Sequence, residues 1–120
     1  MFAVALGACL LLISVGARGN ELVGAWELER AEGARADQVP ASFIYKFDPN
    51  GTCVLSFVDK KGSLNESVWS YEIQGNRVRL KLLNSKKLAE VFQFSIVGDV
   101  LTMQHRDKNQ PTLVFRRPRA

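Results

Sequence analysis

The spacing of turn signals constrains the fold of this chain more than any other feature. From about residue 22 onward, clusters of Gly, Asn, Asp and Pro interrupt short strand-type segments roughly every 8 to 14 residues. The clearest turn is Pro49-Asn50-Gly51, and the clearest strand is 77–83, where apolar and basic residues alternate. Only the stretch 29–39 could hold one or two helical turns. The pattern is typical of an all-β sandwich or barrel.

The turn signals divide the chain into eight short strands. Their predicted ranges are 22–29, 42–48, 52–58, 64–73, 77–83, 88–96, 100–105 and 112–117. Every connection but the first is short, so we expect neighbours in sequence to be antiparallel neighbours in space. A flat sheet would expose two edges, and a sandwich usually needs longer crossovers. We therefore predict an all-β fold, an eight-stranded antiparallel up-and-down barrel.

The positions predicted to face the barrel interior are rich in aromatic rings. They are Trp26, Phe43, Tyr45, Phe47, Phe57, Trp69, Tyr71, Phe92, Phe94 and Phe115. The interior of an eight-stranded barrel is just wide enough to be filled by side chains or to hold one small ligand. Because these rings occupy much of that volume, we expect a small pocket at one mouth and not a deep cup.

An apolar segment precedes the predicted barrel. Residues 2–17 carry no charge and end in small residues before Arg18. This length suits the core of a signal peptide better than a spanning helix, which needs about 20 apolar residues, and Ala17 is the predicted cleavage position. No Lys or Arg lies between Met1 and the apolar run, which a start codon placed too far downstream would explain. We expect a leader helix within 1–19, a barrel domain over 20–120, and export to the periplasm or the cell exterior.

Two alternatives to a cleaved leader stay open. An uncleaved anchor flanked only by Arg18 would place the domain on the cytoplasmic side. Leu6-Gly7-Ala8-Cys9 also fits a bacterial lipobox, although apolar residues follow Cys9 where a polar tether is usual. Membrane contact is expected only through the leader or such a lipid. If Cys9 leaves with the leader, Cys53 stands alone and no intramolecular disulfide can form.

Composition and charge exclude several classes of protein. With 47% apolar and 23% charged residues, the chain is far from the disordered profile. Much of the net charge of +4 comes from Lys60-Lys61, Lys86-Lys87 and Arg116-Arg117 in predicted turns and the tail. No aromatic residues interleave these clusters, so we interpret them as solubility charges and expect no nucleic-acid partner.

The sequence also lacks the usual signatures of catalysis. His105 is the single histidine, which excludes a multi-His metal site within one chain. No inward carboxylate pair, Gly-rich phosphate loop, Cys-x-x-Cys motif or nucleophile elbow is present. We therefore expect no enzyme activity, no cofactor and no metal.

Several short motifs together resemble a known family. They are Leu22-Val23-Gly24-Ala25-Trp26-Glu27-Leu28, Tyr45-Lys46-Phe47, Asn50-Gly51-Thr52, Tyr71-Glu72-Ile73, Gly98-Asp99-x-Leu101 and Phe115-Arg116. In this order they resemble the bacterial lipocalin-like domains, small calycin-type β-barrels. The resemblance covers about 22–117, and the chain departs from larger lipocalins in its shorter strands and its missing C-terminal helix.

The resemblance also implies how the barrel closes. In that family a Trp packs across the closed end and an Arg from the last strand lies against it, a cation–π contact. Here the Trp is Trp26, introduced by Gly24, and the Arg is Arg116 or Arg117. Strand alternation after Phe115 sends Arg117 inward. The family order of an aromatic followed directly by Arg favours Arg116, to which we give preference.

These features predict a non-catalytic exported barrel that binds a small apolar or amphipathic ligand. Tyr45, Trp69, Tyr71 and His105 are the expected ligand-binding residues. The alternatives are a structural or protein-interaction domain of the cell envelope with a filled core, or an enzyme inhibitor. The interior volume separates ligand binding from a filled core, because a continuous apolar cavity of about 300 Å³ or more favours a ligand.

Overall fold

The structure, a computed structural model, describes residues 21–40 and 42–118. In chain order its elements are the strands β1 (Gly24–Glu32), β2 (Phe43–Phe47), β3 (Thr52–Val58), β4 (Leu64–Gln74), β5 (Arg77–Leu82), β6 (Glu90–Val97), β7 (Val100–His105) and β8 (Thr112–Arg116), with a 3-10 turn at Ala36–Gln38 between β1 and β2. The predicted leader, with Cys9 and Ala17, lies outside the described residues. Within the described ranges, no helix has the length and apolar character needed to cross a membrane.

The eight strands form one closed barrel. Each strand pairs antiparallel with the next in sequence, and β8 pairs with β1 to complete the circle. The predicted up-and-down barrel is therefore confirmed. Closure follows from the hairpin connections, since pairing β1 with β8 removes two edges that would otherwise expose unpaired backbone groups.

The seven later strands lie within two residues of their predicted bounds, but β1 differs more. It was predicted to end at Glu29, whereas the strand continues to Glu32. Its register with β8 shifts between Leu28, opposite Phe115, and Arg30, opposite Val114, so Glu29 forms a β-bulge. The extra residue reverses the alternation of faces beyond it. The alternation of apolar residues is therefore interrupted at the bulge. The sequence predicted the end of the strand there, whereas the strand continues with its inward and outward positions exchanged.

The alternating connections define two ends of the barrel. The sealed end holds the start of β1, the β2–β3, β4–β5 and β6–β7 turns, and the end of β8. The mouth holds the other four connections, including the long one between β1 and β2. This long connection packs Val39 against the core.

The core fills the space between the two ends. All ten predicted inward-facing rings are either buried or packed against the buried cluster. Tyr45 lies at the centre of a chain of rings, with its centroid 5.1 Å from that of Phe43, 5.5 Å from Phe47 and 5.4 Å from Phe115. These tilted and edge-on contacts are the favoured arrangements of aromatic pairs. The interior is consequently occupied by side chains.

Candidate functional site

Trp26 closes the sealed end. Its ring is fully buried, and its indole N–H donates a hydrogen bond of 2.9 Å to the carbonyl of Leu22. The guanidinium of Arg117 stacks on the ring, with Cζ 3.9 Å from the ring centroid. The same guanidinium donates to the carbonyl of Val23 at 2.9 Å and to that of Glu21. Arg117 therefore joins the beginning of β1 to the end of β8.

The structure assigns the closing role to Arg117, which corrects the preference for Arg116. Arg116 points outward from β8, where its Nε donates to Oε2 of Glu29 at 2.7 Å. This hydrogen bond holds the pKa of the Glu29 carboxyl below its usual range. Strict alternation after the buried Phe115 predicted this outcome, because one strand position separates the two faces of a sheet.

Gly24 leaves the room that Arg117 occupies. A Cβ at this position would lie 2.5 Å from Nη1 of Arg117, and the backbone φ of +119° is one that residues with side chains rarely adopt. Any larger residue would displace the guanidinium from Trp26. Gly24, Trp26 and Arg117 therefore plug this end, and a ligand cannot enter the barrel here.

The opposite end carries a cavity of about 270 Å³, which we call the mouth pocket. Its lining residues are Arg35, Gln38, Val39, Pro40, Phe43, Glu90, Phe92, His105, Gln110, Pro111 and Leu113. Phe43, Phe92 and Leu113 come from the barrel strands and are nearly fully buried, so they form an apolar floor. The polar members lie at or beyond the strand ends. The pocket thus combines an apolar base with a polar rim.

His105 is held rigidly on this rim. Its Nδ1 accepts the backbone N–H of Asp107 at 2.9 Å, and its Nε2 lies 2.9 Å from Oε2 of Glu90. Because Nδ1 acts as an acceptor, the proton of the neutral ring belongs on Nε2, which donates it to the carboxylate. The ring also packs edge-on against Phe92, with centroids 5.0 Å apart.

The structure does not bring the other three predicted ligand-binding residues to the mouth pocket. Tyr45 is buried among core rings, and this burial raises the pKa of its hydroxyl above the usual range. Tyr71 lies near the sealed end, where its hydroxyl donates to the carbonyl of Asp48. Trp69 is half-buried and donates from Nε1 to Oγ of Ser67 at 2.9 Å. All three side chains point inward, as strand alternation predicts, but none of them lines the mouth pocket.

Sequence reasoning missed the part of the pocket that comes from the connections. Arg35, Gln38 and Val39 belong to the longest irregular stretch of the chain, between β1 and β2. A signal for them was present, since a long connection in an up-and-down barrel has to pass over or beside an open end. Gln110 and Pro111, from the β7–β8 connection, carry no comparable signal.

Two other features bear on chemistry. Cys53 is fully buried, and the burial raises the pKa of its thiol to about 12. A thiol in this state is a poor nucleophile, because the reactive species is the thiolate.

Among residues 21–40 and 42–118, no group of three or more His, Cys, Asp and Glu side chains is arranged to hold a metal ion.

Comparison with solved structures identifies the architecture. A lipocalin-like protein from Bacteroides uniformis matches with a TM-score of 0.65 and 19% identity, over 82% of this chain and 99% of that one. The fold is lipocalin-like. An uncharacterized protein from Bacteroides eggerthii matches with a TM-score of 0.61 and 12% identity, over 80% of this chain and 98% of its own. No protein-family model matches the sequence, and no curated protein does.

The predicted resemblance is therefore confirmed for the fold. In this lipocalin-like barrel, the rings of Tyr45, Phe47 and Phe115 are buried in the same core cluster as Trp26, and Tyr45 lies directly opposite Trp26 on the paired strand. The space left for a ligand is therefore at the mouth of the barrel, next to Phe43 and Phe92. The arrangement can bury an apolar group against the floor while its polar part meets the rim.

Proposed function

We propose that the protein is a non-catalytic, exported binding protein that holds a small apolar or amphipathic molecule in the mouth pocket. The mouth pocket itself is the observation that carries the proposal. Burial of apolar ligand surface on Phe43, Phe92 and Leu113 supplies binding free energy, at roughly 25 cal/mol per Å². Gln38 and Gln110 at the rim offer both donors and acceptors, which fix the orientation of a polar group.

The size of the pocket limits the ligand. Its volume of about 270 Å³ is below the roughly 300 Å³ of interior cavity that would favour a ligand over a filled core, and the space lies at the mouth and not in the interior. A compact molecule that stays partly exposed fits this space, whereas a long chain would need room that the core rings fill. The proposal therefore names a small ligand seated at the rim and not one enclosed in a cup.

The geometry of His105 supports a non-catalytic role. One ring nitrogen accepts the N–H of Asp107 and the other donates to Glu90, so both are engaged. A general base needs a free lone pair directed at the reacting group. The buried thiol of Cys53 offers no nucleophile either.

Export is proposed from the sequence of the leader. The apolar run 2–17 ends in small residues seven positions before Gly24, the first residue of β1. A cleaved signal peptide places the barrel in the periplasm or outside the cell. Retention as an anchor or as a lipoprotein at Cys9 would instead hold the barrel at a membrane.

Native mass spectrometry of the protein purified from its own source tests these proposals. We expect a retained molecule of small mass and a chain that begins near residue 18. The variant Gln38→Trp fills the pocket from its exposed rim and should abolish retention. Lys60→Trp, in the β3–β4 connection at the same end of the barrel but outside the pocket, should leave it unchanged. Absence of any retained molecule, or equal loss in both variants, would contradict the binding role.

A structural or protein-interaction role is the second candidate, and the filled interior favours it. Trp26 and Phe115 are fully buried, and Phe47 is 1% exposed. Leu88, in the β5–β6 connection, is 91% exposed, as an apolar anchor for a partner would be. This role predicts an empty pocket in the mass spectrum and a partner whose binding Leu88→Ser abolishes.

A further inference from the structure

A second cavity lies on the outer wall of the barrel, beside the β7–β8 connection. It measures about 440 Å³, and we call it the outer groove. Its lining residues are Arg77, Val91, Gln93, Gln104, His105, Arg106, Lys108, Gln110 and Thr112. Three of these side chains are cationic and none is a carboxylate. The groove is therefore a concentrated positive surface, unlike the mixed charges of β1 and its neighbour β8.

The floor of the outer groove is one row of side chains across four strands. From β5 to β8, the directly paired positions are Arg77, Gln93, Gln104 and Thr112. Directly opposed residues on paired strands point to the same face, and neighbouring strands lie about 4.8 Å apart. The row thus presents one charged group, two amides and one hydroxyl at regular intervals over roughly 14 Å.

The β7–β8 connection forms the upper wall and is held in shape by hydrogen bonds. The N–H of Arg106 donates to the carbonyl of Val91 at 3.0 Å, which ties the start of the connection to β6. The side-chain carboxylate of Asp107 accepts a hydrogen bond from the N–H of Asn109 at 2.9 Å. The backbone carbonyl of Asp107 accepts one from the N–H of Gln110 at 3.1 Å. Lys108 is therefore displayed from an ordered turn, which lowers the entropy lost on binding.

The three cations of the outer groove form no contact ion pair with the described residues. Within residues 21–40 and 42–118, the ion pairs shorter than 4.0 Å involve Arg30, His105 and Arg116 as the cations. Arg77, Arg106 and Lys108 belong to none of them. The carboxylates of Asp107 and Glu90 hydrogen-bond to the N–H of Asn109 and to His105, and neither forms an ion pair with these three cations. An anion entering the groove would meet three cations without displacing a partner.

We propose that the outer groove binds a sugar that carries a phosphate or sulfate ester, of about one or two sugar units. The cations bind the ester oxygens through charge-assisted hydrogen bonds, and a guanidinium can do so with two parallel bonds. Amides and a hydroxyl, which both donate and accept, match the hydroxyl groups of the sugar. The groove volume suits a ligand of this size.

A nucleic acid fits the outer groove less well. Binding of single strands relies on aromatic side chains on which successive bases stack. The one ring that lines the groove belongs to His105, and it is packed edge-on against Phe92 and hydrogen-bonded at both nitrogens. The uncharged amides would also add little to binding of a phosphate backbone, because recognition of that backbone is mainly electrostatic.

This inference is independent of the proposed function. His105 and Gln110 line both cavities, but the mouth pocket lies over the end of the barrel core and the outer groove lies on the outer wall. The test therefore alters only Arg77, Arg106 and Lys108, which line the groove and not the mouth pocket. A negative result for one proposed site would therefore leave the proposal for the other site standing.

Calorimetric titration of the full 120-residue chain tests the proposal. The probes are glucose 6-phosphate, glucose 6-sulfate, a sulfated disaccharide, glucose, inorganic phosphate and a ten-residue thymidine oligonucleotide. We expect saturable binding of the sugar esters, weaker binding of inorganic phosphate and none of glucose. Tighter binding of the monosaccharide esters would indicate a free sugar ester as the source, and tighter binding of the disaccharide a polysaccharide.

Charge-matched variants separate a site from general attraction. The triple variant Arg77→Gln, Arg106→Gln and Lys108→Gln should weaken binding of the esters by roughly tenfold or more, since each lost charge-assisted bond lowers affinity. The control Lys60→Gln, Lys61→Gln and Lys87→Gln removes the same charge elsewhere and should change affinity by less than about twofold. Equal weakening in both variants, equal affinity for inorganic phosphate, or tighter binding of the oligonucleotide would overturn the proposal.

Discussion

Gly24, Trp26 and Arg117 act as one unit at the sealed end. The glycine makes room for the guanidinium, the guanidinium stacks on the ring, and its hydrogen bonds to the carbonyls of Glu21 and Val23 join the end of β8 to the residues just before β1. The sequence motif pointed to the glycine and the tryptophan. It did not decide between Arg116 and Arg117, because a bulge or an early strand end can change the face to which a residue points.

Gly24→Ala should destabilise the protein more than Gly33→Ala. Both residues have positive φ, and a Cβ at Gly33 would meet nothing within 4 Å, so this control isolates the backbone cost of about 1–3 kcal/mol. At Gly24 the methyl group also displaces Arg117, which adds the loss of a cation–π contact and of hydrogen bonds, about 1–3 kcal/mol more. Denaturant titration measures both. Equal losses would mean that Arg117 does not need the space.

Arg117→Gln should lower the free energy of unfolding by about 1–3 kcal/mol, because it removes the stacking on Trp26 and the bonds to two carbonyls. Arg116→Gln removes only an exposed ion pair with Glu29 and should have little effect. Thermal and chemical unfolding of the two neighbouring variants provide the comparison. A larger effect at Arg116 would contradict the assignment of the closing residue.

Cys53 should be unreactive until the barrel unfolds. Burial excludes reagents and raises the pKa of the thiol to about 12, so little thiolate forms at neutral pH. In the Cys9→Ser chain, a thiol reagent should react at a rate that follows global unfolding as denaturant is added. Rapid reaction in native buffer would show that the β2–β3 region opens locally.

At the scale of the strand, alternation was the reliable signal. It predicted the inward faces of β2 to β8 and of β1 up to Leu28, since a strand places successive side chains on opposite faces. It failed at the bulge around Glu29, which neither composition nor spacing marked. Beyond the bulge, Ala31 faces the core opposite Leu113, and this contact exists only because β8 is the partner.

The β3–β4 hairpin depends on one carboxylate. Asp59 accepts hydrogen bonds from the N–H of Ser63 at 3.0 Å, from Nδ2 of Asn65 at 3.2 Å and from the N–H of Lys61 at 2.9 Å. The bond from Ser63, followed by that from Asn65, holds the pKa of the carboxyl below its usual range. The ionised carboxylate therefore stabilises the folded hairpin.

Asp59→Asn should destabilise the protein at neutral pH and lose this effect in acid. A carboxyl whose pKa is lower in the folded state stabilises above its unfolded pKa of about 4, and this contribution disappears as the pH falls through the folded value. The melting temperatures of the variant and of wild type should therefore converge as the pH falls below about 4. Asp37→Asn is the control, because the carboxylate of Asp37 accepts no hydrogen bond from the described residues. A difference in melting temperature independent of pH would contradict the role of the charge.

At the scale of the whole molecule, the barrel is closed by pairing between its first and last strands. Arg117, just after β8, donates hydrogen bonds to the carbonyls of Glu21 and Val23, just before β1. The two ends of the described chain therefore meet at the sealed end. The short hairpin connections were enough to predict this closure, because they place sequence neighbours side by side and leave only β1 and β8 as edges to be paired.

A circular permutant should therefore fold. Joining residue 118 to residue 21 through a short Gly-rich linker, and opening the chain within the exposed connection 83–89, keeps all eight strand pairings. We expect a cooperative transition and retained strand content by circular dichroism. Opening the chain between Phe94 and Ser95 instead interrupts β6 and should prevent folding. Failure of the first permutant under conditions where wild type folds would show that the ends are not adjacent.

The sequence by itself determined the strands, the turns, the inward faces and the closed barrel, because these follow from local alternation and from the length of each connection. Only the tertiary structure decided which residues share a site. His105 and Gln38 line the same mouth pocket, and Tyr45 and Tyr71 do not. Arg77 and Thr112 belong to one row on the outer wall, with two strands between them. The reason is physical: neighbours across a barrel depend on the register of every strand pair between them, and no local pattern records that register.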